Sequence, residues 1–289
     1  MTARGAMEAL EREEVEEFRP IGTAAFTTTR AAGDFRLPAD MAAPPSDAES
    51  GCAARWVALH ETVARAAPGL VSAVQVHGTE FAEHATPWTG IRRLAGFDAQ
   101  IVRTAGAAAI TVADCVPVFI AHPCGTVAVV HAGWRGIASG ILPAILARLS
   151  SIGLAPGDLR IHLGPAICGR CYEVGPDVFR QLTGWDTVRH RNIDLRALLA
   201  EQARDAGVTR ISASPSCTRC DHDRFFFAPR GRRGASGCRD RWCRSRARAA
   251  LTGGRRPPSF GCSARSGESF DVGEGSPHFF VLVRSGETA

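Results

Sequence analysis

The sequence contains no lysine: all 34 basic residues are arginine, set against 29 acids and 9 histidines. It also lacks any apolar run approaching the ~20 residues that a membrane-spanning helix needs, so neither a spanning helix nor a membrane partner is expected. Its start, MTARGAMEALEREEVEEF, lacks the basic-then-apolar order of a secretory signal, and the expected location is the cytoplasm. Cysteine is not scarce, with ten in 289 residues. At this length and in this compartment they are expected as free thiols, metal ligands or bystanders ahead of a disulfide framework.

The formal charge of +5 is unevenly spread. Residues 227–289 hold 12 arginines against 5 acids, whereas residues 1–226 hold 22 against 24. The body is near neutral. A basic tail alone could attract nucleic acid electrostatically, but this one has another explanation, and no nucleic-acid partner is expected.

Residues 1–20 read as an acidic N-terminal arm, helix-favouring and solvated over 6–18, with Met7 as an alternative start. Residues 21–226 read as one catalytic domain. Ile21–Thr29 is expected as a strand running into Arg30, followed by an Ala/Pro/Ser-rich loop over 31–51. Trp56, Leu59, Val63 and Ala67 are spaced for one helix face, ended by Pro68-Gly69. Val71–Val76 is a strand leading into His77-Gly78, and Phe97–Val102 is another. Ile137–Leu149 and Pro176–Leu182 are expected helices, and Asp194 caps a third over Leu195–Ala206 with Gly207 as its stop. Leu159–Leu163 and Val208–Ala213 are strands. Strands alternate with helices but hairpins also occur, so the fold class is α/β in the broad sense, mixed α+β: a single domain with mixed sheets covered by helices.

The chain is organised around ITVADCVPVFIAHPCGTVAVVHAGWRG, residues 110–136. Ala109–Val112, Val116–Ala121 and Thr126–Val130 are β-branched or apolar runs, and His122-Pro123-Cys124-Gly125 is a turn signal. If Ala121–Gly125 is the loop, Cys115 lies directly opposite His131. A three-residue loop, Pro123–Gly125, offsets them by two positions on the same face. A two-residue loop separates them, since a one-residue slip inverts every side chain. Pro117 weakens pairing, because it cannot donate to a ladder. Cys115 and His131 are therefore expected to converge where regular pairing ends.

His77 joins them as the leading candidate for chemistry. Imidazole and thiolate are good Zn or Cu ligands, and three protein ligands leave a position open for substrate or water. Spacings of 37 and 15 intervening residues match no local metal motif, but each residue follows a strand beside Gly or Asp. Two CxxC pairs, Cys168–Cys171 and Cys217–Cys220, invite a zinc-ribbon reading. The 45 residues between the pairs exceed ribbon spacing, so packing thiols are the expectation. Arg135, in Gly-Trp-Arg-Gly before a helix, could hold phosphate or simply pack on Trp134. Asp114 is expected to cap a turn, ahead of orienting a ligand histidine, and Gln75 to meet a purine edge or point to solvent.

After Phe226 the periodicity collapses into APRGRRGASGCRDRWCRSRARAALTGGRRPPSF. This aberrant Arg-rich tail, 227–289, reads either as disorder or as the product of a shifted frame, which suits a GC-rich gene that encodes no lysine. Moving Phe227–Trp242 by one base under GC-rich codons gives SHRAGDAGRQVAVIA, ending in an apolar run suited to a last strand.

Five motifs in order, QVHG (75–78), TVADCVPV (111–118), HAGWRG (131–136), GPAICGRCYEVG (164–175) and CTRCDHDRFF (217–226), resemble the YfiH-type family. Its members are called multicopper polyphenol oxidases, laccase-domain proteins or purine nucleoside phosphorylases. The resemblance spans roughly Phe26 to Phe226. It implies a cysteine-hydrolase-like YfiH fold and makes His77, Cys115 and His131 the metal-binding and catalytic residues. It also implies phosphorolysis of adenosine, inosine, guanosine and methylthioadenosine, with adenosine deamination. Two departures stand out. FTTTRAAGDF keeps Arg30 but not the family's loop after it, and the family's Ser-His-Arg segment and closing strand are missing from the frame as written.

The leading expectation is thus a zinc, or alternatively copper, enzyme acting on purine nucleoside and phosphate, with Arg135, Arg30 and Gln75 as binding residues. A copper phenol oxidase would need several copper centres for four-electron oxygen reduction. A metal-free cysteine hydrolase would use Cys115 as nucleophile with His131 or His77 as base. A nucleic-acid-binding protein would use the arginine tail.

Overall fold

The computed structural model describes residues 11–38, 41 and 51–228, together with the backbone of 278–284. The chain enters through β1 (Arg12–Glu14), a 3-10 turn over Glu16–Ile21 and β2 (Thr23–Thr28). Helix α1 (Gly51–Val63) leads to β3 (Gly69–Val74), β4 (Phe81–His84), β5 (Gly90–Ala95), β6 (Ala99–Val102) and β7 (Ala107–Val112). The central hairpin is β8 (Val116–Ala121) with β9 (Val127–Ala132), followed by α2 (Trp134–Ala138) and α3 (Ile141–Ser151). Then come β10 (Arg160–Leu163), β11 (Glu173–Val174), α4 (Pro176–Thr183), β12 (Arg191–Asn192), α5 (Leu195–Asp205), β13 (Arg210–Ala213) and β14 (His278–Arg284).

Two six-stranded mixed sheets result, ordered β1-β2-β14-β7-β3-β5 and β13-β10-β8-β9-β6-β4. The period-two alternation of the central strands explains how they stack. Ala108 and Ile110 of the first sheet pack on Phe119, Ala121, Val127 and Val129 of the second, filling the layer between them. Ala107 and Ala109 face the other way, onto Trp56, Leu59 and Val63 of α1. Val118, Ile120, Ala128 and Val130 meet Ile141, Ile145 and Leu149 of α3 and Leu195 and Leu199 of α5. The order is helix, sheet, sheet, helices. Strands buried on both faces read as continuous apolar runs, which is why β7, β8 and β9 stood out.

The hairpin settles its own register. Val118 pairs with Val130 and Pro117 with His131, and His122 donates its N–H to the Thr126 carbonyl at 2.9 Å, leaving Pro123–Gly125 as a three-residue loop. Cys115 and His131 are therefore offset by two positions on one face, the face toward the first sheet. Pro117 keeps its place because its carbonyl accepts from Gly164 N–H at 2.9 Å.

Several expectations change. The acidic arm is not a solvated helix over its described part. Arg12–Glu14 pairs with β2, Phe18 is fully buried, and the Glu13 carboxylate accepts from Ser216 Oγ and Arg224 Nη1, both at 3.1 Å. Pairing with β2 covers the backbone edge of that strand and lets Val15 and Phe18 enter the core, which a free, solvated helix would forgo. The expected helix over 137–149 divides at Gly140, whose φ of +81° breaks it into α2 and α3. The expectation that the tail as written lacks a closing strand also fails. β14 lies antiparallel between β2 and β7, with Phe280 opposite both Thr27 and Ile110. The stretch proposed as frame-shifted, and Cys238, Cys243 and Cys262, fall outside the described residues, apart from Phe227 and Ala228. No described helix is long and apolar enough to cross a membrane.

Candidate metal centre

The layer between the sheets ends in a small polar constellation. Cys115 comes just before β8, His131 lies near the end of β9, and His77 follows β3 of the opposite sheet. Their donor atoms all lie within 4.8 Å of one another. Cys115 Sγ is 3.9 Å from His77 Nε2, and the two imidazoles meet edge-on with centroids 4.7 Å apart. Two sheets and three separate segments thus supply one point.

His77 is held in an uncommon conformation. Its φ of +60° makes it the one non-glycine residue in the left-handed region among the described residues. Such a backbone costs of order 1 kcal/mol and persists only when its surroundings enforce it. The enforcing group is Asp98, which is fully buried. Its Oδ2 accepts N–H bonds from Gly78 at 2.7 Å and Val76 at 3.2 Å, and its Oδ1 accepts from His77 N at 3.0 Å. The same Oδ1 lies 2.8 Å from His131 Nδ1, and the Asp98 carbonyl takes the His131 backbone N–H at 2.8 Å. One carboxylate therefore shapes the His77 turn and places the proton of His131 on Nδ1, leaving Nε2 to face the site. Sequence reading missed Asp98. The available signal was a lone acid at the head of the otherwise apolar run Phe97–Val102.

The charges follow. Burial pushes the Cys115 thiol up, but the neighbouring His131 and then His77 bring it down to about 6. Burial pushes His131 down, but Cys115 and Asp98 raise it to about 9. Burial opposes the charge on Asp98 too, and the hydrogen bonds from His131, Gly78 and Val76 outweigh it, leaving its carboxyl below the usual range. Thiolate and imidazole beside a buried carboxylate form a donor set suited to a divalent cation. The space in front is kept by Gly133: a Cβ there would come within 2.9 Å of His77 Cδ2 and 3.0 Å of Cys115 Sγ. These residues fit a metal.

The other sequence candidates sit differently. Both ends of the Gln75 amide are engaged by Thr111, Nε2 donating to its carbonyl at 2.7 Å and Oε1 accepting its N–H at 2.8 Å, and the residue is half-buried. Arg30 donates to the His222 carbonyl at 3.0 Å and lies over the Phe226 ring. The Arg135 guanidinium stacks 4.4 Å from the Trp134 ring centroid. The Asp114 carboxylate accepts from Thr218 Oγ1 at 2.7 Å and from the Ala228 N–H at 3.3 Å, tying the start of β8 to the later loops.

The chain is 36% identical over 165 residues to a purine nucleoside phosphorylase of Streptomyces coelicolor, a match covering 53% of this chain and 66% of that protein, just under two thirds of its length. It is 36% identical over 152 residues to the adenosine deaminase RL5 of an unidentified prokaryote, covering 47% and 58% of the two chains. The Bacillus licheniformis protein YfiH superposes with a TM-score of 0.67 at 19% identity, over 96% of this chain and 97% of that one. YlmD from Geobacillus stearothermophilus does so at 0.63 and 22% identity, over 92% and 93%. Residues 24–238 match the family described as multi-copper polyphenol oxidoreductase laccase, and with the YfiH structural likeness this places the chain in the YfiH-type, laccase-domain family.

Proposed function

We propose that the protein is a purine nucleoside phosphorylase that uses His77, Cys115 and His131 as both its catalytic and its metal-binding residues. The observation that carries this reading is the meeting of those three donors in front of the buried Asp98. The relatives named for purine nucleoside phosphorolysis support it from outside. Zinc is the expected ion and copper the alternative. A metal bound there would act as a Lewis acid on a reactant oxygen or on water.

The chain's own residues have distinct tasks. Asp98 fixes the His131 tautomer and the left-handed turn at His77. Gly133 leaves room for a reactant against the sulfur. Val76, exposed beside His77, offers apolar surface to a purine. Arg135 and Arg30 are the cations proposed to hold phosphate, Arg135 already oriented by its stack on Trp134. A phosphate oxygen bonds to the anomeric carbon as the bond to the purine nitrogen breaks. The base departs with the electron pair and takes a proton, leaving ribose 1-phosphate. Gln75 can meet the purine only if its bonds to Thr111 open.

Adenosine, inosine, guanosine and methylthioadenosine are the proposed substrates. The deaminase relative favours a second activity at the same point, with water in place of phosphate and the adenine amino group released as ammonia. The test is release of adenine or hypoxanthine from nucleoside, dependent on added phosphate and lost in Cys115→Ala. Inosine formation without phosphate would identify the deaminase. Phenol oxidation with several coppers per chain would support the laccase reading, and chelator-insensitive covalent labelling with amide hydrolysis would support a cysteine hydrolase.

A further inference from the structure

The two CxxC pairs meet. β10 and β13 run parallel in exact step, Leu163 beside Ala213, and the chains leaving them stay together, with Ala166 bridging Cys217. Parallel neighbours deliver their following loops to one end of the sheet whatever the sequence distance between them. The spacing argument against a shared site therefore fails, and the four sulfurs of Cys168, Cys171, Cys217 and Cys220 lie within 4.8 Å of one another.

Their geometry is that of a cation cage. Cys171 and Cys220 sulfurs are 3.5 Å apart. Tetrahedral zinc with Zn–S bonds of ~2.3 Å sets sulfurs about 3.8 Å apart, whereas a disulfide requires ~2.05 Å. The backbone N–H groups of Cys168 and Cys220 point at Cys217 Sγ, at 3.3 and 3.4 Å, supplying hydrogen bonds that favour a thiolate. Each CxxC is folded into a tight turn: Cys171 N–H reaches the Cys168 carbonyl at 2.8 Å, and Asp221 N–H reaches that of Cys217 at 2.8 Å. Arg219, inside the second CxxC, donates to the Cys171 carbonyl at 3.2 Å and puts a positive charge beside the sulfurs.

We propose that Cys168, Cys171, Cys217 and Cys220 bind a structural Zn²⁺ as four thiolates, at a site separate from His77, Cys115 and His131. Binding releases their four thiol protons to solvent. The four-sulfur set fills a tetrahedron and leaves no position for substrate, so its role is mechanical. It clamps the loops that carry Ile167 and Thr218. Those residues hold Asp114 by its carbonyl at 3.1 Å and by its carboxylate at 2.7 Å, immediately before Cys115. The clamp therefore sets where the Cys115 backbone begins.

The test uses the full chain, purified without chelator, in three forms: unaltered, Cys115→Ala, and the double variant C168S/C220S. Elemental analysis of Cys115→Ala is expected to give one zinc per chain that survives dialysis. X-ray absorption at the zinc edge should show four sulfur neighbours at ~2.3 Å. Cobalt loaded in place of zinc should give intense thiolate-to-metal absorption in Cys115→Ala, and none attributable to a four-sulfur site in C168S/C220S. Iron in place of zinc, two disulfides, four free thiols with no metal, or zinc bound through nitrogen in Cys115→Ala would each overturn the proposal. If C168S/C220S does not fold, the absorption data on Cys115→Ala decide alone. The readout is metal content and ligation, so the answer holds whether or not the chain cleaves nucleosides.

Discussion

His77, Cys115 and His131 come from both sheets and meet where the inter-sheet layer ends, whereas the four cysteines come from two loops that leave parallel neighbours side by side. The first cluster mixes nitrogen with sulfur, has a buried carboxylate behind it and a glycine in front. The second is all sulfur and is lined by its own backbone N–H groups. Three donors leave a vertex for a reactant, while four close the polyhedron. The difference teaches that, on the roles proposed above, similar sulfur-to-donor distances would serve opposite ends, and that the atoms behind the ligands tell the two clusters apart.

The widest separation is expected from deleting one sulfur on each side. Cys115→Ala should reduce phosphate-dependent base release at least ~100-fold, since loss of a partner that merely supports a metal ligand already costs 10–100-fold. Its thermal unfolding temperature should fall less than that of Cys217→Ala, because Cys115 is only half-buried and sits at the edge of the core, so that mainly its ion pairing with His131 is lost. Cys217→Ala should do the reverse to stability. Cys217 is buried and receives both N–H···S bonds, so its removal strands those donors and takes one ligand from the proposed zinc, at a cost of roughly 3 kcal/mol or more. Calorimetry and the nucleoside assay, run on both variants, separate the roles. Equal melting temperatures would erase the distinction.

Asp98→Asn is expected next. The two Asp98 oxygens face four donors: Gly78 and Val76 N–H on one, His77 N–H and His131 Nδ1–H on the other. An asparagine must turn its NH₂ toward one of those pairs, and either choice sets donor against donor. Metal affinity at the His-Cys-His site should fall ~10–100-fold, with ~1–3 kcal/mol of stability lost. Metal at the four-cysteine site should be retained. Titration with a chromophoric chelator distinguishes the two.

Gly133→Ala is smaller. The backbone there, at φ −78°, accepts alanine, but the new methyl presses on His77 Cδ2 and Cys115 Sγ. The expected result is roughly a tenfold loss of base release, from a displacement of under 1 Å at the reacting atoms, with the melting temperature nearly unchanged. A variant as active as the parent would show that the space in front of the sulfur is not where the reactant sits.

How much of this was legible beforehand depended on locality. The β8–β9 hairpin could be read because its loop and apolar alternation sit in one continuous stretch, and that arithmetic already required Cys115 and His131 to share a face for a three-residue loop. His77 was flagged by its place after a strand and beside Gly78, and the motif resemblance strengthened it where spacing could not. Asp98 was invisible because a single acid on an apolar strand looks like an edge residue until the turn at His77 folds over it. The meeting of the two CxxC pairs is not legible from spacing, because sequence separation says nothing about parallel neighbours. β4 and β5 went unread, since EFAEH and GIRRLA carry too few β-branched residues to declare themselves. The closing strand was thought missing because HFFVLVR lies far beyond where periodicity fails.

The finest difference between the clusters is in their response to pH once metal is removed. In the apo protein Cys115 titrates near 6 and His131 near 9, so both are charged between those values. The sign follows group by group. Cys115 is depressed below its unfolded value, so its contribution to stability is lost as pH falls through about 6. His131 is raised, so its contribution is lost as pH rises through about 9. Metal-free stability should therefore form a shallow dome between these limits, and Cys115→Ala should remove its acid limb while the His131–Asp98 pair keeps part of the alkaline one. Alkylation of Cys115 by iodoacetamide in the apo chain should be half-maximal near pH 6 rather than the ~8.5 of an ordinary thiol. Zinc should suppress that reaction, with an affinity that rises with pH as His131 gives up its proton. A half-maximum near ~8.5 in the apo chain would mean that His131 is not charged beside the sulfur, and the mixed site would then lose the electrostatic feature that sets it apart from the four cysteines.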